Sequence, residues 1–98
     1  MSINYLGQVN KRVSERFKIE VDFSPWMSDT DTILTLTLSA VDDATDVAAT
    51  VTGVYVLGTQ SVTFEVLGGT ATHAYTITVR VTTADSCIWD AYLSLLVD

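Results

Sequence analysis

The stretch Gly68-Gly-Thr-Ala-Thr-His-Ala-Tyr75-Thr-Ile-Thr-Val-Arg-Val81-Thr-Thr83 decides the fold. Tyr75, Ile77, Val79 and Val81 alternate with Thr76, Thr78, Arg80 and Thr82, a period of two that fits a half-buried strand and no helix. Threonine suits the wet face of such a strand, because its branched Cβ favours the pleat while its hydroxyl stays solvated. The two glycines before it permit positive φ in a tight connection. Gly68, Gly69 and Tyr75 are therefore predicted to be structural.

The same period extends outward in both directions. Phe17, Ile19, Val21 and Phe23 alternate with Lys18, Glu20 and Asp22; Leu34, Leu36 and Leu38 oppose Thr35, Thr37 and Ser39; Val62, Phe64 and Val66 oppose Thr63 and Glu65. Ser24-Pro25, Asp29-Thr-Asp31, Asp42-Asp43, Gly58-Thr59, Gly68-Gly69 and Ala84-Asp85-Ser86 punctuate these runs as turns. Pro25 lacks an amide donor and closes the first strand, and Trp26 behind it is placed as a cap on the core. Val47–Val51 and Gly53–Leu57 read as short edge strands. The pattern predicts an all-β protein, an immunoglobulin-like β-sandwich of roughly six to seven strands. In such sandwiches a tyrosine placed like Tyr75 bonds its hydroxyl to upstream backbone and pins a crossover between sheets.

The last run, Ile88–Val97, breaks the alternation. Ile88, Asp90, Tyr92, Ser94 and Leu96 share one face, and Trp89, Ala91, Leu93, Leu95 and Val97 the other. Only one face of a strand can look into a two-sheet core. Two readings stay open: a wet face marked by Asp90 and Ser94 that tolerates a few hydrophobes, or a strand covered by another subunit. The second makes Trp89, Leu93 and Leu95 interface candidates.

The chain has 98 residues, enough for one domain, and carries a formal charge of −7. Residues 1–18 balance at +3 and the remainder at −10. The expected organisation is a basic N-terminal arm over residues 1–15, followed by the sandwich over 16–98. Lys11, Arg12 and Arg16 are the candidates for gripping an acidic neighbour. The acidic balance argues against nucleic acid or an anionic membrane as the main partner. No apolar run approaches the about 18 residues of a membrane helix, and the first residues lack the pattern of a secretory signal. With 48% apolar and 17% charged residues, the chain is rich enough in apolar groups to turn some toward a partner.

No catalytic residue, cofactor site or metal site is predicted. The single histidine, His73, and the single cysteine, Cys87, fall at opposite ends of the strand that starts near Tyr75, so no Cys–His pair forms within one subunit. His73 is placed as an exposed loop residue. Asp29 with Asp31, and Asp42 with Asp43 and Asp46, could offer oxygens to calcium, but aspartate is also a common turn former and no calcium-loop spacing is present.

Val21-Asp-Phe-Ser-Pro-Trp26, Asp31-Thr-Ile33 and the segment from Gly68 to Thr83 together resemble the small Ig-like virion proteins of tailed phages, the phage fibre–tail adaptor family. The resemblance spans about residues 16–97. It implies a non-enzymatic structural adaptor of the phage particle that docks subunits, at the tail or tail fibre, through its sandwich and N-terminal arm. It further implies assembly in the host cytoplasm, a place in the virion at the tail rather than the capsid, and other virion structural proteins as partners. Repeated subunits would form a homo-oligomer or symmetric ring. Asp85-Ser-Cys-Ile-Trp-Asp90 departs from the family's usual approach to the last strand, which bears on the partner surface. Alternative functions are capsid decoration, or a carbohydrate- or receptor-binding module using Trp26 or Tyr55.

Overall fold

The structure, a computed structural model, describes residues 3–98. Its elements are β1 (Ile3–Lys11), β2 (Phe17–Asp22), β3 (Ile33–Asp42), β4 (Val47–Ala48), β5 (Thr52–Leu57), β6 (Ser61–Val66), β7 (Ala74–Thr83) and β8 (Ile88–Val97). They form a five-stranded sheet in the order β1-β8-β7-β3-β4 and a three-stranded sheet in the order β2-β6-β5. The two pack face to face in an elongated body of 42 × 23 × 19 Å. This is an immunoglobulin-like sandwich.

The alternating runs supply its core. Val21 from β2, Val62, Phe64 and Val66 from β6, and Tyr75, Ile77, Val79 and Val81 from β7 are all buried in one cluster. The register of β7 against β8 sets Tyr75 opposite Leu95, Ile77 opposite Leu93, Val79 opposite Ala91 and Val81 opposite Trp89. Paired residues share a face, so the inward face of β7 commits the odd-numbered face of β8 to the core as well.

Two expectations are corrected here. Leu93 and Leu95, taken as interface candidates, are core residues with essentially no exposure, and Trp89 packs against the same core. The physical reason is that Leu93 and Leu95 stand on the inward face of β8, opposite Ile77 and Tyr75; β8 also has a neighbour on each side. The expected arm supplies the second one: from Ile3 to Lys11 it is a strand running parallel to β8, with Ile3 opposite Asp90 and Lys11 opposite Val97. Residues 1 and 2 of the expected arm lie outside the described residues. The even-numbered face of β8 is the outer one, where Ile88 is exposed and Tyr92, Ser94 and Leu96 are half-buried.

A bulge between Ile33 and Thr35 shifts the register of β3 against β7. It turns Leu34 out of the inward row that its sequence spacing predicted, and Leu34 is exposed while Leu36 is buried.

Candidate functional site

The β6–β7 connection is built on the glycine pair. Gly68 and Gly69 have φ of 66° and 93°. A Cβ on Gly69 would stand 2.7 Å from Val97 Cγ2, so a side chain there meets both strain and a clash. The buried Tyr75 hydroxyl accepts the Thr70 backbone N–H at 2.8 Å, the corner that the sequence predicted. This end of the body is closed further by His73, whose Nδ1 lies 2.7 Å from Asp42 Oδ2, and whose ring stacks near Tyr75 at 6.4 Å between centroids. His73, expected to be an exposed loop residue, is a half-buried one tied to the end of β3. The His73 hydrogen bond is also the main reason the Asp42 carboxyl sits below its ordinary range. Cys87 lies beyond the far end of β7, so its thiol and the His73 ring are separated by the length of that strand.

Asp31 works at the opposite end. It is buried, which by itself opposes ionisation, but hydrogen bonds from the Thr83 hydroxyl and from the Asp85 and Thr32 backbone N–H groups outweigh burial and lower its pKa. It brackets the turns before β3 and after β7. Among the described residues no three His, Cys, Asp or Glu side chains gather to hold a metal.

The basic residues divide. Lys11, an interface candidate, is 1% exposed, and its ammonium donates to the Arg12 carbonyl at 2.7 Å and the Val13 carbonyl at 3.0 Å. It staples the turn between β1 and β2 and offers nothing to a neighbour, a second correction to the expected contact set. Its position opposite Val97 draws the side chain under the turn. Arg12 is exposed. Arg16 is also exposed while bonded to Glu65 at 2.8 Å, and that bond is the main cause of a lowered Glu65 pKa. These two remain available at the surface. On the outer face of the larger sheet, Arg80 clasps Asp90 through Nε–Oδ1 at 2.7 Å and Nη2–Oδ2 at 2.9 Å.

Of the aromatic candidates, Trp26 and Trp89 pack against the core, whereas Tyr55 is exposed. Trp26 packs on the core edge-on to Phe23, with centroids 5.5 Å apart and rings inclined by 70°, and exposed Pro25 stands beside it in the turn. The Trp89 indole N–H is buried with no hydrogen-bond partner among the described residues.

The surface that stands out instead is β5. Val54 is 71% exposed, Val56 67%, Tyr55 50% and Leu57 37%, with Leu34 at 58% on the neighbouring strand. This strand pairs only with β6. The sequence held the signal: residues 47–64 contain no charged side chain, and Val54–Leu57 is apolar at consecutive positions, so both faces of the strand are oily. The run reads as a short edge strand from its sequence, but only the topology shows that, among the described residues, no strand pairs along its outer edge.

The fold class is a two-sheet immunoglobulin-like sandwich with an apolar edge strand. The family described as podophage GP4 fiber-tail adaptor protein gp77 matches residues 11–95, and the chain belongs to that family. No curated protein matches the sequence.

Proposed function

We propose that this chain is a non-enzymatic adaptor of a podophage particle that joins fibre to tail by docking its sandwich between other virion proteins. Membership of the fibre–tail adaptor family over residues 11–95 is the observation that carries the reading. The geometry supports it in kind, because a sandwich this small offers rigid faces and edges, and the apolar exposure along β5 is a strand edge suited to protein contact. Exposed Arg12 and Arg16, at the turn between β1 and β2, are the proposed charged contacts to an acidic partner; Trp89, Leu93, Leu95 and Lys11 are not part of that contact. The protein is placed in the tail of the virion, assembled in the host cytoplasm, with no nucleic acid or membrane as partner. Copies are arranged about a symmetric platform.

The test is cryo-electron microscopy of particles made with and without the gene. Particles lacking it should keep filled heads and tails but lose their fibres, and maps of complete particles should show the sandwich at the tail–fibre junction. Density on the capsid surface, or fibres attached normally in its absence, would overturn the reading. A double charge reversal, Arg12→Glu with Arg16→Glu, should reduce incorporation while the isolated protein stays folded. Deleting residues 1–15 is a poorer probe, because it strips β1 from β8.

A further inference from the structure

The free edge of β5 has a definite hydrogen-bonding pattern. Gly58 N–H donates to the Ser61 carbonyl at 2.7 Å and closes the β5–β6 hairpin, which makes these residues a bonded pair. Counting back along the register, Leu57 opposite Val62 is a non-bonded pair, Val56 opposite Thr63 a bonded one, and Tyr55 opposite Phe64 non-bonded. The other side of β6 agrees: Phe23 N–H donates to the Gln60 carbonyl at 2.8 Å, so Gln60 turns toward the β2 side and its neighbour Ser61 toward β5. The backbone N–H and C=O of Tyr55 and Leu57 therefore point away from β6, and among the described residues no backbone group meets them.

Natural sheets blunt such an edge with lysine, proline or an inward charge. This one carries none of these. Its uncharged setting is unusual for a chain of −7, and it removes the main obstacle to bringing two copies together at this place. The strand is also self-complementary. Val54-Tyr55-Val56 reads the same in both directions, so a two-fold axis through Tyr55 sets Val54 against Val56 on the outer face and Tyr55 against Tyr55 on the inner face. That register joins the outward backbone groups of Tyr55 to those of its mate, as an antiparallel ladder requires. Valine pairs and tyrosine pairs are favourable cross-strand neighbours.

We propose that β5 is the seam of a two-fold homodimer, pairing antiparallel with β5 of a second copy so that the two three-stranded sheets become one of six strands. Leu34, beside the seam on β3, would add apolar cover. An isologous contact of this kind is closed and does not grow into a filament. It goes beyond the adaptor reading and stands or falls separately from it, since fibre attachment can be scored in particles whatever the isolated protein does.

Sedimentation equilibrium of the full chain tests it. Wild type should move from 10.7 kDa toward twice that mass as concentration rises. A lysine variant, Val54→Lys with Val56→Lys, and a glutamate variant, Val54→Glu with Val56→Glu, should each stay monomeric with unchanged β-sheet circular dichroism, because both positions are largely solvent-exposed in the monomer. Mixing the two in equal amounts should restore the dimer, which neither a fold defect nor a general loss of stickiness would do. A wild type that remains monomeric at every concentration overturns the proposal, as does a lysine variant that dimerises like wild type. A monomeric wild type whose lysine variant fails to enter particles also overturns it, and assigns the edge to a different virion protein.

Discussion

The Tyr75 hydroxyl holds the Thr70 backbone N–H at 2.8 Å across the turn that carries the chain from one sheet to the other. Both groups belong to a connection whose glycines leave no room for slack. Tyr75→Phe removes the acceptor and strands that N–H, so it should cost about 1–3 kcal/mol in urea unfolding. Gly69→Ala should be at least as damaging, since φ there is 93° and the new methyl would press on Val97. Equal stability of Tyr75→Phe and wild type would show that the corner is ornamental.

Leu93 is buried and faces Ile77 across the β7–β8 ladder. Leu93→Ala should destabilise by about 2–5 kcal/mol, by lost transfer energy and the cavity left behind. Leu93→Glu should abolish the cooperative thermal transition. A folded Leu93→Glu protein that merely fails to assemble would contradict the packing described above.

Lys11 offers a sharper distinction. Its stem is buried and its ammonium meets two backbone carbonyls. Lys11→Met keeps the stem but leaves the Arg12 and Val13 carbonyls without their donor, for about 1–3 kcal/mol of lost stability. Arg12→Met, a change to an exposed side chain, should stay within about 0.5 kcal/mol of wild type. Equal effects of the two would argue against the staple.

Acid should unfold the protein in a defined window. Asp42, Asp31 and Asp90 all have folded pKa values below their ordinary 3.8. For Asp42 the leading cause is the His73 hydrogen bond, and for Asp90 it is the Arg80 clasp. Each folded carboxyl holds its proton less tightly than in the unfolded chain. The unfolded state therefore binds more protons as pH falls, and the stabilisation, complete above the ordinary value, is lost as pH drops through the folded values. Urea midpoints should be flat down to about pH 5 and fall below it. Asp42→Asn should flatten that acid limb, and an unchanged limb would place the proton uptake elsewhere.

Arg80→Lys should lower the thermal midpoint although the charge is kept, because an ammonium lacks the fork that meets both Asp90 oxygens. Arg80→Ala should lower it further. Identical melting of Arg80→Lys and wild type would show that one contact suffices.

Much of this was legible in the residues. Strict alternation marked β2, β6 and β7, because one wet and one dry face leave a period of two. The tyrosine corner followed from a glycine pair set before a long strand. Two features escaped for a common cause, which is that pairing is decided by the rest of the sheet. In Ile3–Lys11, Ile3, Tyr5 and Val9 alternate with Asn4, Gln8 and Asn10, but Leu6-Gly7 interrupts the run, and its pairing with β8 is set by the sheet. With its odd-numbered face in the core, β8 cannot offer Leu93 or Leu95 to an outside subunit. Leu34 followed the period by spacing but lost its inward position to a bulge. The uncovered edge of β5 was written in the uncharged run, yet exposure depends on which strand lies alongside, and sequence does not state that.

The parallel pairing of β1 with β8 also sets how the body would bear load. Residue 3 lies beside Asp90 at one end, and Asp98 follows Val97 at the other, donating its N–H to the Lys11 carbonyl at 2.7 Å. Traction on these two extremities would draw the strands along their own lengths in opposite directions. Every rung of the ladder would then resist in shear at once, where a hairpin pulled from its open end would unzip rung by rung.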